Sequence, residues 1–131
     1  MSDDKKRYED GMNVRRAVLG GKYLDGKKRE TDDFNAEFQN MITRYAWGEI
    51  WTRPGLPRHT RSLLTLGFLV ALNREEEFSL HCRAAFNNGV TRDEIKEMLL
   101  QSAIYCGVPA ANSAFKWASD VFAAMDRETG G

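Results

Sequence analysis

From Leu63 to Leu72 the chain reads Leu-Leu-Thr-Leu-Gly-Phe-Leu-Val-Ala-Leu, ten residues without a charge. As a helix this run is about 15 Å long, half of what a bilayer's hydrocarbon core requires, so it has to be buried in protein rather than in lipid. Apolar side chains would cover most of such a helix, and the segment from about Arg58 to Leu72 is predicted to be a central buried helix. The rest of the chain must then supply the elements that cover it.

Those elements read as helices, about six in all, with no hairpin signal competing and no internal repeat. Tyr8, Met12, Val14, Val18 and Leu19 make a weakly amphipathic helix from about Asp4, stopped by Gly20-Gly21. Thr31, Asp32 and Asp33 offer caps for a helix carrying Phe34, Phe38, Met41, Ile42 and Tyr45 at the 3.6-residue period, expected to pack in the core and to end near Gly48. Pro54, Gly55 and Pro57 oppose a helix, so Glu49 to Pro57 reads as a loop. Asn73, with Glu76 three residues on, has the form of an N-cap for a helix running to the stop at Gly89. Thr91 and Glu94 form a capping box ahead of Ile95, Met98, Leu99, Ser102, Ala103 and Cys106. Pro109 marks the start of the last helix, with its stripe Phe115, Ala118, Phe122, Met125. The class is all-α.

At 131 residues one domain is expected over 1–131, with 1–30 as an N-terminal arm and first helix. The 19 Lys and Arg balance 19 Asp and Glu, so no basic excess points to nucleic acid or an anionic membrane. Cys82 and Cys106 lack the paired spacing of a zinc or redox motif, which favours a reducing compartment. The charged N-terminus has no apolar stretch behind it, and a soluble cytoplasmic protein is the expectation. Two histidines without ligand spacing make a metal site improbable. His59, in a capping region, reads as structural.

The string from His81 to Thr91, HCRAAFNNGVT, followed by Glu94-Ile95 and by Ala103 to Ala111, AIYCGVPAA, resembles the signature of the carboxymuconolactone decarboxylases. Upstream, Trp47 to Trp51, Arg53 to Leu56 and Arg61 to Leu64 resemble the same family, so the likeness runs from about Asp10 to Met125. It implies the all-helical fold shared with alkylhydroperoxidase-D-like proteins and assembly into rings, commonly trimers or hexamers. It also implies cofactor-free decarboxylation of a lactone dicarboxylate in the protocatechuate branch of aromatic degradation. The peroxidase branch of that superfamily places Cys-x-x-Cys ahead of a histidine corresponding to His81. Arg74 and Glu77 occupy the two cysteine positions here, which disfavours a thiol-dependent peroxidase. Cys82 is no substitute, because consecutive helical side chains diverge by about 100°. A non-catalytic oligomeric binding protein is the other alternative.

Within that resemblance His81 is the candidate acid, with Glu77 one turn earlier placed to orient the ring and favour its protonated form, giving a pKa near neutral. The same residue has a second possible role, donating to the lactone oxygen. The plain alternative is an exposed i,i+4 pair of little consequence. Arg53 and Arg61 are candidate carboxylate clamps, with solvated or interface charges as the alternative. Glu49, between Trp47 and Trp51, is a second candidate acid or base if the indoles raise its pKa, against a surface glutamate at a helix end. Trp51 is a candidate pocket wall, though plain packing explains it as well.

Overall fold

The computed structural model describes residues 2–130, which form helices and connecting turns with no strand among them. Seven α-helices are present: α1 Ser2–Leu19, α2 Gly21–Glu30, α3 Ala36–Ile42, α4 Arg58–Ala71, α5 Glu75–Ala85, α6 Arg92–Tyr105 and α7 Val108–Gly130. They sort into two compact units that divide after Arg58.

In the first unit α1 buries Val14, Val18 and Leu19 and stops where Gly20 takes φ 96°. The chain then resumes as a second helix, α2, within the segment 1–30. This helix has no reading in the apolar pattern because Leu24 is its only buried residue. Ahead of α3 the Asp32 carboxylate accepts from the backbone N–H groups of Phe34 and Asn35 at 3.0 and 3.2 Å, which shapes the turn, whereas the N-cap itself is Asn35, without a side-chain bond, and not one of the three expected residues. Beyond Ile42 the backbone widens into a π-helix over Thr43–Ile50, with Trp51 N–H donating five residues back to Ala46 at 3.0 Å. Helical structure therefore extends through Glu49 and Ile50, two residues into the predicted loop.

The cause of this unit's close packing is glycine. A Cβ on Gly11 would strike the Thr43 carbonyl oxygen, and one on Gly48 the Arg7 carbonyl oxygen, so α1 and the π segment cross backbone to backbone. Beside the crossing Arg15 is buried, donating to Thr43 Oγ1 at 3.2 Å and Gln39 Oε1 at 3.0 Å.

The second unit is built on an apolar cluster of Leu66, Val70, Phe78, Cys82, Ala85, Val90, Ile95, Leu99, Ala114, Ala118 and Val121. Phe78 meets Trp117 with ring centroids 5.6 Å apart. Helix α4 buries only the stripe Ser62, Leu66 and Val70, so the expectation of a helix buried all round is corrected: Leu64, Phe68 and Leu72 face outward. Phe34, Phe38 and Met41, expected in the core, are likewise exposed. Periodicity identified a helix face that seeks cover; it could not tell whether this chain provides it.

Turn chemistry explains the joints. Asn73 adopts φ 58°, and Arg74 N–H reaches back to Leu69 while Asn73 N–H reaches Val70, the Schellman closure of α4. Asn73 thus ends one helix instead of capping the next, and Arg74 N-caps α5 with no side-chain bond. Three glutamates, Glu75 to Glu77, sit in the first turn of α5, where negative charge suits the dipole. Gly89 takes φ 84° after the 3₁₀ turn Phe86–Asn88, and the Thr91–Glu94 capping box forms as predicted. Among the described residues no helix is long and apolar enough to cross a membrane.

Candidate active site

The six candidate residues fall three to each unit. On the first, Trp47 and Trp51 pack with ring centroids 5.0 Å apart, Trp47 buried and Trp51 half-buried. Glu49, from the last turn of the π segment, is exposed rather than enclosed by the indoles, and its carboxylate lies 3.5 Å from Arg7 Nε. Arg53 is exposed in the following turn, its backbone N–H held by Ile50 at 3.1 Å. An eight-residue π segment is unusual, and such windings concentrate at functional sites because they re-aim side chains relative to an α-helix.

On the second unit His81 sits half-buried on α5, and Glu77, one turn back, is exposed. Desolvation pulls the ring's pKa down to about 4, and the nearby Glu77 carboxylate offsets only part of that loss. The predicted near-neutral acid is therefore corrected: around pH 7 His81 is a neutral imidazole, one nitrogen donating and the other accepting. The i,i+4 spacing revealed Glu77's attraction; the larger opposing effect, burial, is not written in spacing.

Arg61 is half-buried on α4, next to Ser62. Ser62 is buried, and its Oγ accepts from Asn88 Nδ2 at 3.0 Å, while the same amide also donates to the Ala84 carbonyl at 3.3 Å. Asn88 lies seven residues beyond His81, two turns along α5 and its 3₁₀ extension. The bond therefore pins the end of the histidine helix to the turn of α4 that carries Arg61. Asn88, seven residues after His81, falls on the same side of a helix, which its spacing shows. Ser62 had one signal, a hydroxyl at the edge of an apolar run, and its meaning depended on a partner 26 residues away.

Cys82 is buried and its pKa is pushed up to about 12, chiefly by desolvation, so it holds its proton and lacks thiolate character at cellular pH. His59, read as structural, bonds through Nε2 to Glu94 Oε2 at 2.8 Å, tying the start of α4 to the capping box of α6. No cluster of three or more His, Cys, Asp or Glu able to hold a metal ion occurs among the described residues.

The described residues thus hold a half-buried histidine, neutral around pH 7, on an all-helical frame. The family model of the carboxymuconolactone decarboxylase family matches residues 36–120, and the chain belongs to that family. It is 53% identical over 120 residues to the 4-carboxymuconolactone decarboxylase of Acinetobacter baylyi, covering 92% of this chain and 90% of that one. It is 44% identical over 110 residues to the nitrosuccinic acid decarboxylase of Metarhizium robertsii, covering 84% of this chain and 77% of the other. A 4-carboxymuconolactone decarboxylase sequence from Pseudomonas putida is 55% identical over 47 residues, 36% of this chain and 98% of that sequence.

Proposed function

We propose that this chain removes carbon dioxide from 4-carboxymuconolactone to give 3-oxoadipate enol-lactone, in the protocatechuate branch of aromatic degradation. The observation that carries the reading is the 53% identity to an enzyme of that activity along 92% of the chain. The family match over residues 36–120 includes all six candidate residues.

The substrate carries its own electron sink, which is why the reading calls for no cofactor. As the ring carboxylate departs, the pair from the broken C–C bond moves through the ring double bond into the lactone carbonyl, and the dienolate is then protonated at its remote carbon. His81 suits both ends of that sequence. As a neutral imidazole its N–H can donate to the lactone oxygen while negative charge grows there. An anionic substrate beside the ring favours the imidazolium, as Glu77 already does in part, so arrival of a dicarboxylate draws in the proton that the carbon later needs. Arg61 and Arg53 are assigned to the carboxylates, Trp51 to the apolar wall, Glu77 to orienting His81, and Glu49 to a second proton-transfer position on the π segment.

The rest of the reading follows the family. The helices belong to the alkylhydroperoxidase-D-like fold, 1–131 acts as one domain with 1–30 as its arm, and the protein works in the cytoplasm as a homo-oligomer, trimer or hexamer. Its partner is a small lactone dicarboxylate, not nucleic acid or membrane. Exposed apolar side chains and a buried, protonated thiol support the oligomer and the reducing setting.

Purified protein is expected to abolish the ultraviolet absorbance of the muconolactone, with His81→Ala slower by at least about a hundredfold. No turnover by an intact oligomer would overturn the assignment, and a near wild-type rate for His81→Ala would remove that residue from the mechanism. The 44% identity to a nitrosuccinic acid decarboxylase supports a second reading with the same class of reaction, since a nitro group beside a carboxylate is also an electron sink. Turnover of nitrosuccinate but not of the lactone would select it.

A further inference from the structure

The first unit holds a cavity of about 310 Å³ among α1, α2, α3 and the π segment, and the formal charge of its walls is all of one sign. Arg15, Lys27 and Lys28 line it, whereas no aspartate or glutamate does. None of the six candidate active-site residues is among its walls.

Arg15 is the unusual member. It is only 5% exposed, yet among the described residues its hydrogen-bond partners are neutral: the Thr43 hydroxyl at 3.2 Å and the Gln39 amide oxygen at 3.0 Å. Its Nε is buried and makes no hydrogen bond. A guanidinium does not shed its charge inside a protein, and a buried one is ordinarily kept by a carboxylate that both neutralises it and fills its donor fork. Among the described residues none does so for Arg15. Burial accordingly lowers the pKa of this guanidinium, and Tyr23 and Tyr8 recover only part of the loss. Asn40 Oδ1, on the same cavity, is a second buried atom without a hydrogen bond, and half a turn of its amide presents Nδ2 as a further donor.

The two lysines add to the demand for negative charge. Both are half-buried on α2. Lys27 reaches only the exposed Glu30, at 3.7 Å, and Lys28 forms no ion pair among the described residues. Other walls are apolar, with Met12, Leu24 and Ala36 among them. An inorganic ion has no use for such a surface, whereas an organic acid buries its hydrocarbon there.

We propose that this cavity is a binding site for a small organic dicarboxylate, with one carboxylate in the Arg15 fork and the second charge met by Lys27 and Lys28. The planar fork matches a carboxylate, and the two lysines account for a second negative charge. Such a ligand ties α1 to α2, a helix whose only buried side chain is Leu24. Binding is therefore expected to steady α2 more than any other element of the first unit.

Hydrogen exchange and titration calorimetry on the whole chain test the site, with adipate as the dicarboxylate probe and inorganic phosphate as the second. Adipate is expected to bind and to slow exchange in α2. Affinity should fall at least about tenfold in Lys27→Gln/Lys28→Gln and in Arg15→Gln. Arg15→Gln also removes two buried hydrogen bonds, so the lysine pair, which packs no core, keeps the test open if that variant unfolds. Adipate also suits the arginines of the candidate active site, which is why protection of α2, and not heat alone, is the readout. Arg53→Ala/Arg61→Ala is expected to keep that protection. Its loss in the arginine pair with retention in the lysine pair overturns the assignment, as does unchanged exchange in α2 at about 10 mM adipate. Protection by phosphate but not by adipate overturns the organic ligand.

Discussion

The two units are held together by different physics. In 59–131 the stabilising element is an apolar cluster, with Phe78, Leu66, Ile95 and Leu99 fully buried and ordinary side-chain interdigitation between helices. In 1–58 few apolar side chains are buried. The weight falls instead on backbone contact at Gly11 and Gly48 and on the hydrogen bonds of a buried arginine. Charged pairs gather around the same crossing, with Arg7 and Arg44 on Asp4 and Arg7 on Glu49. A cluster of side chains tolerates small adjustments; a crossing in which backbone meets backbone has no slack. The π winding that carries Trp47 and Glu49 lies against that crossing, so the geometry of half the candidate residues depends on two hydrogen atoms at Gly11 and Gly48.

This contrast is sharpest in a pair of substitutions. Phe78→Ala should cost about 3–5 kcal/mol by opening a cavity, and Gly11→Ala about 3 kcal/mol or more because α1 must move off the Thr43 carbonyl. Hydrogen exchange then decides whether the units are separate. If 1–131 is one cooperative domain, each variant lowers protection on both sides of Arg58; loss confined to 2–58 in Gly11→Ala would break the single-domain proposal.

A somewhat smaller effect belongs to acid. The unfolded chain protonates His81 below about 6.5, whereas the folded chain resists until about 4, so between those values the unfolded state binds more protons. Stability contributed by the buried neutral ring is complete above pH 6.5 and is lost as pH falls toward 4, about 3 kcal/mol over the whole span. Glu94 and Asp126, whose hydrogen bonds from His59 and Arg92 hold them below their usual range, add losses only at the acid end. Urea unfolding between pH 6.5 and 4.5 should show the slope, and His81→Gln should flatten it; an unchanged slope would mean that the ring is not desolvated.

The smallest expected effects test local chemistry on each side. Thr91→Ala removes one half of a formed capping box and should cost about 1 kcal/mol. Gly26→Ala, in mid-α2 with nothing nearer than an Arg29 side chain at 3.8 Å, should gain about 0.5–1 kcal/mol. A loss at Gly26 as large as that at Gly11 would mean that glycine matters throughout the first unit rather than at its crossing.

Read along the chain, the all-α class, the helix stops at Gly20 and Gly89 and the Thr91 box were legible because each depends on neighbours within a few residues. The family, too, was legible in the His81 to Ala111 strings. Helix α2 was not, since a helix with one buried residue leaves no apolar period to read. Tertiary packing decided the rest. It assigned Asn73 to the end of α4, made Ser62 the acceptor for Asn88, and stretched Thr43–Ile50 into a π winding against Gly11. It also left Phe34, Phe38 and Met41 around α3 and Leu64 and Phe68 on α4 exposed, and burial keeps the His81 ring neutral where Glu77 alone would favour its proton. Hydrophobic spacing says which face of a helix seeks cover, and charge spacing says which group attracts a proton. Whether the cover comes from the same chain, and how much water the proton must give up, are properties of the folded surroundings alone.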